Sequence, residues 1–185
     1  ASITKLFIAS VVLKLYEKGD INIDECAGKY LPNKLLDGIH KLNGIDYSDK
    51  ITVRHLLTHS SGIPDYLEIK GSDGKTLVDK VIEGEDMSWG IKDVLEIVRN
   101  ENKPLFPPQD LKMQKYKIRY SDTNFQILIA IIENVTRKSI DKVYKEMIFN
   151  PLNLANTYLP DVICPENNPP AATMWAGNVP FSGKP

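Results

Sequence analysis

Two long apolar segments restrict the fold of this chain more than any other feature. They are residues 3–17 (ITKLFIASVVLKLYE) and residues 122–135 (DTNFQILIAIIENV). Residues 3–17 are apolar on nearly every face of a helix, which is typical of a central helix surrounded by protein. Gly19 follows as a natural C-cap, and Lys14 and Lys18 lie in the last turns. The sequence therefore predicts two buried helices.

Shorter patterns predict a mainly α fold with few strands. Helical spacing or capping signals occur in residues 51–57, 91–100 and 139–149. Residues 65–90 are polar and rich in Gly and Asp, which indicates a surface excursion. Six of the twelve prolines lie from position 160 onward. We therefore expect one helical region over residues 1–160 and an irregular, Pro-rich segment over residues 161–185.

Composition excludes some functions and leaves others open. The chain has 185 residues, enough for one domain with a substantial core. Its net charge of −1 offers no electrostatic case for a nucleic-acid partner. Cys26 and Cys164 have no metal-ligand spacing and form no disulfide framework, so cysteine usage leaves the redox compartment undetermined.

The first candidate for chemistry is Ser2-Ile3-Thr4-Lys5. Three residues on a helix separate a hydroxyl and an ammonium by one turn on one face. At a helix N-terminus, unpaired N–H groups and the positive dipole end would also point at Ser2, and such a serine can act as a nucleophile without histidine. The alternative is an N-cap serine followed by a solvent-exposed lysine. A helix that is apolar all round would instead bury Lys5 and demand a polar partner.

The second candidate is Tyr120-Ser121-Asp122, directly before the second apolar helix. A tyrosine at such a junction can project toward another helix and accept a serine proton. Asp122 could cap its own helix, pair with Lys5, or accept from a substrate amide. The alternative is a packed aromatic beside a simple N-cap aspartate.

Residues 58–62 (THSSG) are one residue short of a G-x-S-x-G nucleophile elbow, with Ser60 as the nucleophile. An elbow needs a preceding strand, whereas residues 53–57 have a helical pattern, so the sequence disfavours it. His40 and His55 are predicted to be surface or packing residues.

Together these segments resemble the serine β-lactamase and penicillin-binding-protein superfamily, and most closely the class C β-lactamases with related DD-peptidases and esterases. Ser2-Ile3-Thr4-Lys5 matches the family motif S-x-x-K, and Tyr120-Ser121-Asp122 corresponds to a second family motif. Residues 51–63 (ITVRHLLTHSSGI), 119–132 (RYSDTNFQILIAII) and 151–157 (PLNLANT) resemble three further family segments in the same order. The resemblance spans about residues 2–160.

The resemblance implies roles for four residues. Ser2 matches the acylated nucleophile, Lys5 the lysine that accepts or relays its proton, and Tyr120 the general base. Asp122 lies where the family usually has Asn, which puts recognition of a β-lactam amide in doubt. Gln109 replaces the Gly of the family's P-P-G turn, so we expect a changed turn there.

The resemblance also implies a fold and a function. We expect the helical part of an α+β fold, with most of the antiparallel sheet missing from this chain. The implied function is a serine hydrolase that forms an acyl-enzyme on Ser2 with a β-lactam, a D-Ala-D-Ala peptide or an ester. It needs no cofactor, and its partner is a small-molecule or peptide substrate. The family usually works outside the cytoplasm or at a membrane.

One family element is absent after Asp122: a Lys or His followed by Thr or Ser and then Gly on an edge strand. We therefore expect this chain alone to be nearly inactive, and its uncovered apolar surface to favour self-association. The alternative is a penicillin-binding-like sensor or binding protein that does not turn over.

Overall fold

A computed structural model describes residues 2–32, 34–85, 88–101 and 103–159, and the backbone of residues 174–176 and 179–181. Within these residues the chain is mainly helical, as predicted. The six α-helices are α1 (Thr4–Glu17), α2 (Val53–Leu57), α3 (Leu77–Ile82), α4 (Ile91–Glu101), α5 (Asp122–Thr136) and α6 (Ile140–Tyr144). Single 3₁₀ turns lie at Ala27–Tyr30 and Ser48–Lys50.

The strands are short and form two separate antiparallel pairs. In the first pair, β1 (Lys41–Leu42) lies beside β2 (Ile45–Asp46). In the second, β3 (Met174–Ala176) lies beside β4 (Val179–Phe181). The expectation that residues 161–185 are irregular throughout is therefore wrong for these six residues. Trp, Val and Phe favour strands, and a two-stranded ribbon has only edge strands, on which Pro180 is tolerated.

Helix α5 forms the centre of the core. It packs against α1, α2, α4 and α6. Four of its apolar side chains are fully buried: Ile127, Leu128, Ile131 and Ile132. This arrangement explains the apolar character of α5 on several faces, because neighbouring helices surround it and leave few positions for charged residues.

Helix α1 is buried on one side only. Ile8, Val11, Val12 and Leu15 face the core. On the opposite side, Ile3 and Leu6 are each 70% exposed, and Leu13 and Tyr16 are also exposed. The prediction of a helix surrounded by protein is therefore wrong for this side, which no described residue covers. We call this side, defined by Ile3, Leu6, Leu13 and Tyr16, the open face of α1.

The helix ends follow local sequence signals. Thr52 caps α2 as predicted: its Oγ1 accepts the His55 N–H at 3.2 Å, and His55 Nδ1 accepts the Thr52 N–H at 3.0 Å. An equivalent capping box between Thr76 and Asp79 begins α3, inside the predicted surface excursion. The helix predicted over residues 139–149 has two parts. The α-helix α6 comes first, and a π-helical turn over Lys145–Phe149 follows it.

The loop after α2 is closed against the segment that precedes α5. Gly62 has φ +78°, and its carbonyl accepts the Leu105 N–H at 2.9 Å. A Cβ added at Gly62 would lie 1.9 Å from the Phe106 carbonyl oxygen. His40 is fully buried, as a packing residue, and its Nε2 donates to that same oxygen at 2.9 Å. The loop geometry therefore requires glycine at this position.

We predict that Gly62→Ala lowers the free energy of unfolding by more than about 2 kcal/mol, because a left-handed alanine costs about 1 kcal/mol and the clash with Phe106 adds to it. Gly19→Ala is the matched control: Gly19 has φ +80° and no atom within 4 Å of an added Cβ. It should cost only about 1 kcal/mol. Urea unfolding at pH 7 measures both values, and equal losses would show that the contact with Phe106 is unimportant.

Candidate active site

Ser2 lies in the turn that leads into α1. Its carbonyl accepts the Lys5 N–H at 3.1 Å, and the helix proper begins two residues later, at Thr4. Ile3 occupies the N-cap position, so the interpretation of Ser2 as an N-cap serine does not hold. The Ser2 side chain is exposed and free of a capping role, which leaves its hydroxyl accessible from outside.

The structure brings the four predicted site residues together. The Ser2 Oγ and the Tyr120 hydroxyl are 2.6 Å apart, a short hydrogen bond across 118 positions of sequence. Lys5 Nζ lies 3.5 Å from the Ser2 Oγ and 4.9 Å from the centre of the Tyr120 ring. It also forms an ion pair with the carboxylate of Asp122. One serine hydroxyl is therefore in contact with a phenol and close to an ammonium.

The ion pair between Lys5 and Asp122 is largely withdrawn from solvent. The two side chains are 15% and 26% exposed, so Lys5 is partly buried and has the polar partner predicted from the sequence. Burial alone lowers the pKa of Lys5, but its hydrogen bond to Asp122 and its contact with Tyr120 outweigh burial and raise the pKa above the ordinary value. Lys5 is therefore an ammonium at neutral pH.

Asp122 pairs with Lys5 and is not the N-cap of its helix. Ser121 holds the N-cap position of α5. The Asp122 N–H is satisfied from another segment: it donates to Asp65 Oδ2 at 3.1 Å, while the Leu67 N–H donates to Asp65 Oδ1 at 3.0 Å. Burial raises the pKa of Asp65, against the lowering effect of these two hydrogen bonds.

The start of α5 is tied to residues 64–66 through hydroxyl groups. Both Ser121 Oγ and Thr123 Oγ1 donate to the Pro64 carbonyl, at 3.1 Å and 2.7 Å. The Tyr66 N–H donates to Thr123 Oγ1 at 3.0 Å. These bonds are buried, so the N-terminus of α5, which carries Asp122, has a fixed position relative to the loop.

His59 belongs to the site, although sequence reasoning did not assign it there. Its ring is stacked on Tyr120, with centroids 4.5 Å apart and an interplanar angle of 27°. The sequence signal was the T-H-S-S-G segment, which we weighed only as a nucleophile elbow. Ser60 itself is fully buried, bonded to the Thr58 hydroxyl at 2.7 Å, and follows helix α2 instead of a strand. The elbow interpretation is therefore wrong.

A groove of about 360 Å³ opens beside the Ser2 hydroxyl. Its polar side is formed by Ser2, Lys5 and Asp122, and its apolar side includes Leu67, Phe125 and Ile129. An exposed hydroxyl, a contacting phenol and a cation beside an apolar wall are the groups needed to attack and position a polar carbonyl compound.

Among the described residues, no cluster of His, Cys, Asp and Glu is arranged to hold a metal ion. No helix in the described part of the chain is long and apolar enough to cross a membrane.

Two known proteins are similar to this chain in sequence. The Staphylococcus aureus (strain NCTC 8325 / PS 47) protein named "Protein flp" is 25% identical over 185 residues, which cover 100% of this chain and 32% of that protein. A "Putative penicillin-binding protein PbpX" of Bacillus subtilis (strain 168) is 30% identical over 152 residues, or 82% of this chain and 30% of that protein. The chain thus spans about a third of the length of these relatives.

A solved structure agrees with the sequence comparison. The crystal structure of a D-stereospecific amidohydrolase from Streptomyces sp. matches with a TM-score of 0.70 and 30% identity, over 97% of this chain and 50% of that one. The family model named Beta-lactamase matches residues 1–181, which is nearly the whole sequence. The chain therefore belongs to the β-lactamase family of serine hydrolases and penicillin-binding proteins.

Proposed function

We propose that this chain carries the nucleophile half of a serine acyl-hydrolase site, in which Ser2 is acylated by an amide, ester or β-lactam carbonyl. The observation that carries the proposal is the 2.6 Å contact between the Ser2 Oγ and the Tyr120 hydroxyl, beside the Lys5 ammonium. A serine is a weak nucleophile unless an adjacent group takes its proton, and Tyr120 is the group in direct contact.

The proposed reaction has two steps. In acylation, the Tyr120 hydroxyl accepts the Ser2 proton and gives its own proton to the leaving group, while Ser2 Oγ bonds to the substrate carbonyl carbon and the bond to the leaving group breaks. In deacylation, the Tyr120 hydroxyl accepts a proton from water as the water attacks the acyl carbon, and it gives its own proton to Ser2 Oγ as the acyl bond breaks. The enzyme ends each cycle unchanged, and the reaction consumes only the substrate and one water molecule.

Lys5 acts in this scheme as a cation and not as the base. Its raised pKa keeps it protonated, and a protonated amine cannot accept the Ser2 proton. An ammonium 3.5 Å from the Ser2 Oγ instead stabilises the negative charge that develops on that oxygen as its proton leaves. The resemblance left open whether Lys5 accepts or relays the proton, and this geometry supports an electrostatic role.

The hydrogen-bonding capacity of the Asp122 carboxylate restricts which substrate groups it can bind. An ionised carboxylate accepts hydrogen bonds and donates none, whereas the Asn usual in the family can do both. A substrate group held by Asp122 must therefore donate a hydrogen bond, from an N–H, an O–H or an ammonium. Together with the likeness to a D-stereospecific amidohydrolase, this favours an amide of a D-configured residue over a β-lactam.

We infer that the open face of α1 packs against the antiparallel sheet that the family resemblance implies. Burying Ile3 and Leu6 there would remove apolar surface from water. The same sheet would supply the second backbone donor of the oxyanion hole, and loss of one donor typically costs about 100–1,000-fold in rate. Residues 1–185 by themselves are then nearly inactive.

We predict that the full-length protein is labelled covalently by a fluorescent penicillin or an activated ester at Ser2. Mass spectrometry of the adduct peptide locates the label. Ser2→Ala abolishes labelling, and Tyr120→Phe slows it about 100–10,000-fold because the general base is lost. Ser10→Ala is the matched control, since the Ser10 hydroxyl on the same helix only bonds the Leu6 carbonyl. A label at another residue would contradict the proposal, and a stable label without turnover would favour the sensor.

Lys5 should produce a distinctive pH dependence of stability. Its folded pKa is raised, so the ammonium stabilises the fold at every pH below the ordinary lysine value of about 10.4, and this contribution is lost as pH rises through the folded pKa. Lys5→Met should lower the free energy of unfolding by about 1–3 kcal/mol at pH 7 and show a flatter decline above pH 10. Lys14→Met, at an exposed position of the same helix, should change neither. Parallel wild-type and Lys5→Met curves would contradict the role of the ion pair.

The open face of α1 should make residues 1–185 self-associate when they are produced alone. Light scattering should give a mass above that of a monomer, because association would remove a large contiguous apolar patch from water. Leu6→Glu, at a position 70% exposed, should restore the monomer without loss of helix content. A monomeric wild-type sample would show that this face is not adhesive.

A further inference from the structure

His59 contacts the segment around Tyr120 at three points. Its ring is stacked on the Tyr120 ring, its Nδ1 accepts the Ser121 N–H at 3.1 Å, and its backbone carbonyl accepts the Arg119 N–H at 3.0 Å. His59 therefore contacts Arg119 and Ser121, the two neighbours of Tyr120 in sequence, as well as the Tyr120 ring. This arrangement needs the left-handed backbone that His59 adopts, with φ +54°.

The contacts define the protonation state of His59. A ring nitrogen that accepts a hydrogen bond carries no proton, so the proton of the neutral ring is on Nε2. The amide nitrogen of Asn124 is a second donor 3.3 Å from Nδ1, and its orientation is fixed because Asn124 Oδ1 accepts from the Ser61 hydroxyl at 2.7 Å. Protonation of Nδ1 would break both bonds.

The charges around His59 also favour the neutral ring. Burial lowers the pKa of His59, the ammonium of Lys5 lowers it further, and the carboxylate of Asp122 opposes them. Lys5 lies on α1 and Asp122 on α5, and the Tyr120 ring, in the segment directly before α5, is stacked on the imidazole. The ring is therefore neutral at pH 7.

Tyr120 depends on this contact because it is otherwise weakly held. It is 45% exposed, and its hydroxyl bonds to Ser2. The ring has the Lys5 ammonium at 4.9 Å and the His59 ring at 4.5 Å. Loss of the His59 ring and of the bond to Ser121 would let the phenol move away from the Ser2 hydroxyl. Displacements of about 1 Å in such a contact can cost about 100-fold in rate.

We propose that neutral His59 is a positioning residue for acylation, which acts by fixing the Tyr120 hydroxyl on Ser2. The inference rests on the proposed function, because it assumes that Tyr120 takes the serine proton. It assigns no contact between His59 and the substrate.

The test compares two variants of the full-length protein. Stopped-flow measurement with a fluorescent penicillin or an activated ester gives the acylation rate constant and the dissociation constant separately. His59→Ala removes the ring and the acceptor, and should slow acylation about 10- to 100-fold while the dissociation constant stays within about twofold. His59→Asn keeps an acceptor near the position of Nδ1 and tolerates a left-handed backbone, and should recover most of the loss.

The pH profile separates positioning from simple stabilisation of the fold. Wild-type acylation should fall on the acid side as Nδ1 is protonated, below the ordinary histidine value of about 6.5, since its pKa is lowered. His59→Asn should lack this acid limb because an amide does not titrate there.

His55→Asn is the matched control. His55 lies one turn earlier, caps α2 and bonds the Gln109 carbonyl at 2.7 Å. Its replacement should lower the melting temperature without changing the acylation rate constant of the folded protein.

The outcomes are distinct. Acylation of His59→Ala within twofold of wild type, or an acid limb retained in His59→Asn, would overturn the positioning role. If Ser2→Ala and Tyr120→Phe are labelled as fast as wild type, the proposed function fails and the role of His59 fails with it. If those two variants are impaired while His59→Ala is normal, only the inference about His59 fails.

Discussion

The ion pair between Lys5 and Asp122 is the interaction on which the site depends. It joins the first turn of α1 to the first turn of α5, which lie more than 100 residues apart in sequence. Neither charge could be left alone in this half-buried position without a large free-energy cost, so each residue requires the other. Because Ser2 precedes Lys5 and Tyr120 precedes Asp122, pairing the charges also brings the hydroxyl and the phenol into contact.

The core and the loop after α2 hold this pair in place. Burial of Ile127, Leu128, Ile131 and Ile132 fixes α5 among its neighbours, and the hydroxyls of Ser121 and Thr123 tie its first turn to Pro64. The site is thus built where two packed helices begin, so its geometry comes from the core instead of from mobile side chains. Sites supported in this way need little reorganisation before they react.

Sequence reasoning found the strongly periodic parts of the fold and failed where tertiary contacts decide. The helices α1, α4 and α5 and the Thr52 cap follow from apolar spacing and capping residues that act locally. The open face of α1 could not be predicted, because periodicity shows that a side chain is apolar and not which partner covers it. The strands at residues 174–176 and 179–181 were not predicted because prolines are frequent in that part of the sequence, and α3 was not predicted because its surroundings are polar.

The four residues predicted for the site do lie together, but which of them contact one another could be learned only from the structure. Sequence could not decide whether Asp122 caps its helix or pairs with Lys5; Asp122 pairs with Lys5, and Asp65, on a different segment, accepts the Asp122 N–H. His59 was overlooked because its contacts with Tyr120 and Ser121 are made across the fold, where no spacing rule applies.

Asp122, at the position where the family resemblance implies Asn, also changes the charge of the proposed site. With Asn, a protonated lysine would leave the site with one net positive charge, which attracts carboxylates over several ångströms. Here Asp122 cancels that charge at Lys5. The pair as a whole is neutral, so in the proposed site it would give an anionic substrate no long-range attraction, and discrimination between substrates would rest on short-range contacts in the groove.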